Sequence, residues 1–306
     1  MPLRLLAPRY WPTWLGLIGL RLISFLPYSA LLRLASAGGA LLLRLPLRYR
    51  SIARRNIALC LSTLTEAERE RLLAEHFRSL TMGLFEMALA WWRPHERIAR
   101  LARIEGMEHL RAAFAQGHGV ILLSAHFTTL EMSGIIIVPH APVHILYRPT
   151  KNALLAWILQ RNRSRQSARS AIPRDDVRGM INALKRNEAV WYAPDQAYRK
   201  KGAEMVPFFG IPAATNTATS RLARMTQAIV LPYFARRLPG KQGYLAQIHP
   251  PLEGFPSGSP AHDAERFNHL IEAQIRLAPE QYLWIHRRFK GLSDDYPDYY
   301  TQRTPT

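Results

Sequence analysis

Residues 119–131 read GVILLSAHFTTLE, a short run of small and apolar side chains followed by a histidine, two threonines and a glutamate. A continuously apolar segment of this length is the signature of a strand buried on both faces, and such strands belong to parallel sheets. Working outward, residues 143–147, 189–193 and 229–234 have the same character. Helical patterns lie between and after them, over residues 128–138, 153–166, 177–186 and 215–225. Strands alternating with helices imply parallel crossovers packed on a central sheet, so the expected fold is α/β, a mostly parallel sheet flanked by helices. Residues 243–249 read as a further strand, and residues 261–277 as an amphipathic helix with Phe267, Leu270, Ile271 and Ile275 along one side. No internal repeat is present, and no linker divides residues 46–306, which are expected to form one catalytic domain.

Upstream, Thr65, Glu66 and Glu68 open a helical stretch in which Leu72, Leu73, Phe77, Leu80, Leu84 and Met87 recur at steps of three and four, ending at Trp91, Trp92 and Pro94. Before Thr65 there is no Asp or Glu, whereas Arg4, Arg9, Arg21, Arg33, Arg44, Arg48, Arg50, Arg54 and Arg55 punctuate long apolar runs. Arg21, Pro27 and Arg33 break residues 11–45 into pieces shorter than the roughly 20 apolar residues of a clean membrane span. A tilted span, or a helical hairpin lying in one leaflet with its arginines snorkelling, fits the pattern better. Trp11 and Trp14 sit where an aromatic anchor would, and the arginines at 44–55 suit retention on the cytoplasmic side. Residues 1–45 are therefore expected to be an N-terminal apolar helical membrane anchor; a helical pair buried in a soluble protein is the alternative.

The chain has 306 residues, and its 41 Lys and Arg against 22 Asp and Glu leave a net charge of +19. Such a surface seeks polyanions: nucleic acid, anionic lipid, a phosphorylated glycolipid or an acidic protein. The single cysteine, Cys60, excludes an intrachain disulfide and an all-cysteine metal site and fits a reducing compartment. His126, His140 and His144 gather no carboxylate into a tidy metal-ligand set.

His126 and Glu131 form an H-x4-E pattern just after the first strand. Five residues of helix turn through about 500°, so the two side chains pair only if the histidine precedes the helix. Thr128 is the expected N-cap and Glu131 its N3 residue, which leaves His126 on the turn where its ring can face a cleft and Glu131 can reach back to it. A carboxylate so placed fixes the imidazole tautomer and supports the ring as it takes a proton from a hydroxyl. Alternatively, Thr128 and Glu131 are a capping box and His126 an ordinary loop residue.

H-x4-D/E after an apolar strand resembles the glycerolipid-type acyltransferases, and the wider pattern resembles the lipid A late acyltransferase family. The resemblance is carried, in order, by EMALAWW at 86–92, HFTTLE at 126–131, YRP at 147–149 with Asn152, YAPDQ at 192–196, VPFFG at 206–210 and PEQYLWIHRRFK at 279–290. Where family members often carry an acidic residue after the DQ pair, this chain has Ala197. The resemblance implies a glycerolipid-acyltransferase-like fold and acyl transfer, with no metal or nucleotide cofactor, from an acyl carrier protein thioester to a hydroxyl of a lipid A precursor of the Kdo-lipid IVA type. It places the enzyme at the cytoplasmic face of a bacterial inner membrane, and makes His126 the general base and Glu131 its orienting carboxylate. Arg148 would hold a phosphate or the developing oxyanion, or else make a structural ion pair. Asp195 and Gln196 would position the acceptor sugar or Arg148, or cap a loop. Phe208, Phe209 and Gly210 would line the acyl channel or a close turn, or pack in the core.

Arg161, Arg165 and Arg169 fall at i, i+4 and i+8 and make a basic stripe, and Arg199, Lys200 and Lys201 a basic loop. An acidic carrier protein and a phosphorylated glycolipid would suit these patches, as would plain solvation. Trp284, His286, Arg287 and Arg288 interleave aromatic and basic groups, which suits a glycolipid headgroup or a sheet-closing element. A lysophospholipid or other glycolipid as acceptor is the nearest alternative. A membrane-associated nucleic-acid-binding protein is a remote one, since no recognition module for nucleic acid is present.

Overall fold

Val120, Ile121, Leu122 and Leu123 form a strand in which no side chain is more than 1% exposed, because the residues point alternately into two separate cores. Val120 and Leu122 face one and Ile121 and Leu123 the other, the period-2 alternation of a strand covered on both sides. Burying each such side chain stabilises the fold by about 1.5–3 kcal/mol.

The computed structural model describes residues 2–147, 150–166, 171–293 and 295–300, the side chains of 163–166 excepted. Arg148 and Arg169, and the side chain of Arg165, therefore lie outside the described residues. The chain opens with helices α1 (Trp11–Ile23), α2 (Tyr28–Arg44), α3 (Arg48–Cys60), α4 (Glu66–Trp92) and α5 (His95–Ala99). There follow β1 (Ala102–Glu105), α6 (Met107–Ala115), β2 (Val120–Leu123), α7 (Leu130–Ile137), β3 (Val143–Tyr147), α8 (Ala153–Gln166), β4 (Ile172–Pro173), α9 (Val177–Lys185) and β5 (Ala189–Tyr192). The chain then forms β6 (Ala203–Phe208), β7 (Ile211–Asn216), α10 (Ala218–Thr226), β8 (Ile229–Arg237), β9 (Tyr244–Ile248) and α11 (Pro260–Leu277).

Seven strands make the central sheet in the order β1-β9-β8-β2-β5-β3-β4, parallel at every pairing except the β8–β9 hairpin. The expected mixed α/β fold with a mostly parallel sheet is what the chain adopts. One face is covered by α6, α7 and the second half of α4, and the other by α9, α10, α11 and the first half of α4. The expected helix over 215–225 is shorter at its start, because Thr215 and Asn216 belong to β7 of a separate β6–β7 hairpin. The turn of that hairpin is Phe209-Gly210, both at positive φ (51° and 74°), which is the hairpin chemistry that calls for glycine.

Helix α4 starts at a capping box, Thr65 with Glu68, and stops before Pro94, whose ring cannot continue a helix. It runs beneath the end of β2 closely enough that a Cβ on Gly83 would stand 2.5 Å from the Thr128 carbonyl oxygen.

The apolar N-terminus breaks at Pro27, as its sequence suggests. Helix α2 lies along α4 with Leu31, Ala35 and Gly39 buried. Helix α1 instead exposes Trp11, Leu15, Ile18 and Leu22, and the turn after it Phe25, to between 53% and 71%. Among the described residues no single helix is long and apolar enough to cross a membrane; α2 and α3 pass by length and composition only as a pair, bent by 97°.

Candidate active site

Strands β2 and β5 are parallel neighbours in the register Leu123↔Tyr192. His126 and Asp195 each lie three residues beyond that pair, so the sheet itself delivers both to the same height at its carboxyl edge. This is where open parallel sheets bind ligands. The Asp195 carboxylate accepts two hydrogen bonds from His126, one from the backbone N–H at 2.9 Å and one from ring Nδ1 at 2.6 Å. Asp195 is buried, with 2% of its side chain exposed, whereas His126 keeps 25% exposed toward a cleft that it lines.

The electrostatics of the pair are mutual. Burial alone would lower the pKa of His126, but the Asp195 charge and hydrogen bond outweigh it, and the imidazole is held above its usual value. Burial alone would raise the carboxyl of Asp195, but His126 pulls it below the usual range, with Arg288 adding to the effect. An ionised Asp195 on Nδ1–H leaves Nε2 as the ring atom free to take a proton from the cleft.

The turn is braced from three sides. Leu283 N–H donates to the His126 carbonyl at 3.0 Å and Thr128 N–H to the Gln281 carbonyl at 2.7 Å, so residues 281–283 lie along the turn like an added strand. Thr128 Oγ1 bonds Ser79 Oγ of α4 at 2.7 Å, and Thr129 Oγ1 donates to the Ala235 carbonyl at 2.8 Å. These contacts correct the expected capping box: the N-cap of α7 is Thr129, whose side chain makes no cap, and the Thr128 hydroxyl is used elsewhere. Behind the turn, Arg237 donates to Glu86 at 2.6 Å and to Ser79 at 3.1 Å, and the Tyr244 hydroxyl donates to Glu86 at 2.7 Å.

Glu131 sits in the first turn of α7, where its Oε2 accepts a hydrogen bond from the buried Trp91 Nε1 at 3.3 Å. The described partner of the His126 ring is thus Asp195 rather than Glu131.

The cleft has a volume of about 1270 Å³ and is walled by residues from α3, α9, α10, the segment after β5 and the C-terminal segment. Among the described residues lining it are Arg48, Arg174, Arg199, Lys200, Arg221, Arg287 and Lys290, with Asp175 the only carboxylate. Apolar walls are supplied by Ile52, Leu146, Val177, Met180, Trp191, Leu222 and Ile285. Such a cavity accepts a ligand that is anionic in one part and apolar in another.

Of the residues singled out by sequence, His126 and Gln196 line the cleft, and Asp195 stands directly behind His126. Phe208 is fully buried among Tyr282, Phe289 and the Arg288 guanidinium, and Gly210 is the exposed tip of the β6–β7 turn, so neither is among the described lining residues. Arg161 is exposed on α8 with its guanidinium over Trp157. The C-terminal block divides: Trp284 and Arg288 are buried, while His286, Arg287 and Lys290 reach the cleft. His286 Nε2 accepts the Ala197 N–H at 3.0 Å, and burial lowers its pKa to about 4, so it stays neutral and holds the loop after Asp195. Arg48 and Arg221, on helices, and Arg174, in the turn before α9, were missed as cleft residues because an arginine reads the same in sequence whether it faces a cleft or solvent.

A family model described as bacterial lipid A biosynthesis acyltransferase matches residues 2–291. The chain belongs to that family. Its relatives include the lipid A biosynthesis lauroyltransferase of Escherichia coli (strain K12), 41% identical over 97% of each chain. The palmitoleoyltransferase of the same organism is 42% identical over 93% of each. A lipid A biosynthesis acyltransferase of Haemophilus influenzae is 37% identical over 95% of this chain and 94% of its own. Membership makes this protein an acyltransferase of lipid A biosynthesis, and it places the blocks quoted above within one matched family region.

Proposed function

We propose that this acyltransferase moves a fatty acyl chain from an acyl carrier protein thioester to a hydroxyl of a phosphorylated lipid A precursor of the Kdo-lipid IVA type. The observation that carries the reading is the His126–Asp195 pair at the base of a cleft that is both cationic and apolar. His126 Nε2 takes the proton of the acceptor hydroxyl as its oxygen attacks the thioester carbonyl; the carbon–sulfur bond breaks, and the thiolate recovers the proton from the imidazolium. Asp195 holds the tautomer and supports the charged ring. Glu131, the second motif position, acts from α7 as a further orienting carboxylate. Arg48, Arg287 and Lys290 hold the phosphates of the acceptor, with Gln196 beside them at its sugar, and Arg148 and Arg165 add charge for phosphate or oxyanion. Arg161 lies on the outer face of α8, where it suits the membrane or the carrier. Phe208 and Gly210 serve by shaping the hairpin beside the cleft.

The enzyme works at the cytoplasmic face of the bacterial inner membrane. Supporting this are the exposed apolar stripe of α1 and the acid-free, arginine-rich segment around it, which suit a helix lying in the interface. Incubation of membrane fractions with labelled Kdo-lipid IVA and a panel of acyl carrier protein thioesters tests the assignment. The expected result is a more acylated product that disappears with His126→Ala; acylation of a lysophospholipid instead would keep the chemistry and change the acceptor.

A further inference from the structure

At the outer rim of the cleft two apolar side chains stand in the open: Val177 at the start of α9, 51% exposed, and Met225 at the end of α10, 61% exposed. Both helices bury their other faces in one core and pack on each other, so these side chains are presented by rigid elements. Arginines and lysines surround them. Arg174 precedes α9, and Arg199 and Lys200 come from the segment after β5. Helical geometry of about 100° per residue puts Arg221, Arg224 and Met225 side by side on α10. Recorded contacts close the ring: Lys200 Nζ lies 3.8 Å from Asp175 Oδ1, joining the loop to the start of α9. The Arg221 guanidinium stands where a Cβ on Gly202 would point, joining the same loop to α10.

We infer that this rim is the docking surface for the protein that delivers the acyl chain, a small acidic carrier seated with an apolar contact on Val177 and Met225 and its carboxylates facing the arginine ring. The inference rests on the carrier-borne donor proposed above. An exposed apolar pair enclosed by cations is the composition of a protein interface, with an anchor that excludes water and a charged margin that steers encounter. A phosphate group would be served by the cations alone, and the exposed Met and Val would add nothing. The position also suits delivery, because the rim and His126 line one continuous cleft, so a thioester carried on a flexible arm enters at the rim and reaches the imidazole. The apolar stripe of α1 lies on a different element, which leaves the lipid surface and the carrier surface apart.

Two substitutions outside the base and its carboxylates test it, Arg224→Glu and Met225→Glu, in the full-length detergent-solubilised enzyme. With one fixed acceptor, initial rates are compared for an acyl chain on acyl carrier protein and the same chain on a short pantetheine thioester. The KM for the carrier-borne donor is expected to rise about tenfold or more, with kcat/KM for the small thioester unchanged. Added salt should raise the wild-type KM for the carrier and affect the variants less. Titration of labelled acyl carrier protein against the same variants reads the contact without turnover, and binding weakened by a similar factor is expected. Unchanged carrier KM and binding, an equal loss with both donors, or a raised acceptor KM would each overturn the docking surface. A wild-type enzyme that uses and binds no carrier at all would instead overturn the donor reading on which it rests.

Discussion

One carboxylate, Asp195, bonds the His126 ring and another, Glu131, stands five residues on in α7, and the two differ in what their removal is expected to do to the pH dependence. The Asp195 charge is what keeps the imidazole above its usual value against the opposing effect of burial. With His126 as the proposed base, active only when neutral, the acid limb of the wild-type rate profile is expected above the ordinary histidine value. Asp195→Asn removes the raising influence and leaves burial, so the limb moves to lower pH while kcat falls by about 10²–10⁴-fold. Glu131→Gln preserves the shape of the first turn of α7 and the acceptor for Trp91. It is expected to lower kcat with little movement of the limb, because the Nδ1 contact to Asp195 persists. Rate profiles of the two variants between pH 5 and 9 separate the roles, and a limb that moves with Glu131→Gln but not with Asp195→Asn would exchange them. His126→Ala should abolish transfer while the protein stays folded, with a lowered melting temperature because the buried Asp195 carboxylate loses its ring partner.

Between elements, the site depends on a buried ion pair that sequence gives little reason to expect. Glu86 of α4 is fully buried and accepts from Arg237 of β8 and Tyr244 of β9, and Arg237 continues through Ser79 to Thr128 in the turn that carries His126. Glu86→Ala would leave the Arg237 guanidinium buried without its counter-charge, at a cost of about 3–5 kcal/mol, seen as a lower denaturation midpoint. Glu86→Gln keeps an acceptor and should lose less. Much else at this scale was legible: the apolar runs gave β2, β3, β5 and β8, and the steps of three and four gave α4 and α11, because both signals come from one-sided or two-sided burial. What was not legible is pairing. Asp195 could not be placed on His126 from the sequence, since that contact follows from β5 lying beside β2 in one register, sixty-odd residues apart in the chain. The short β1 and β4 and the β6–β7 hairpin lack the buried apolar run that marks the central strands, and were missed for that reason.

Across the whole molecule, charge and apolarity are sorted onto different surfaces, and the sorting suggests how the enzyme sits. Helix α2 buries its apolar face on α4, whereas α1 buries little on the protein and leaves Trp11, Leu15, Ile18 and Leu22 on one exposed stripe, with Phe25 exposed just beyond its end. The spacing of that stripe, four, three and four, is that of a single helix face and suits the proposed helix lying along a boundary. Neighbouring Arg9 and Arg21 lie over Tyr10 and Phe25, so their charges flank the stripe, where lipid headgroups would meet them on the proposed interfacial placement. Leu15→Asp with Leu22→Asp should therefore move the protein from pelleted membranes to the supernatant and reduce its partition onto vesicles of anionic lipid. The fold should remain, because both side chains are exposed and bury nothing in the core. Transfer to acceptor in bilayers should fall far more than transfer to the same acceptor dispersed in detergent, since only the first requires the enzyme to find its substrate in the plane of a membrane. A variant that still pellets and acts equally on both would show that α1 is not what holds the enzyme there, and would pass that role to the bent pair of α2 and α3.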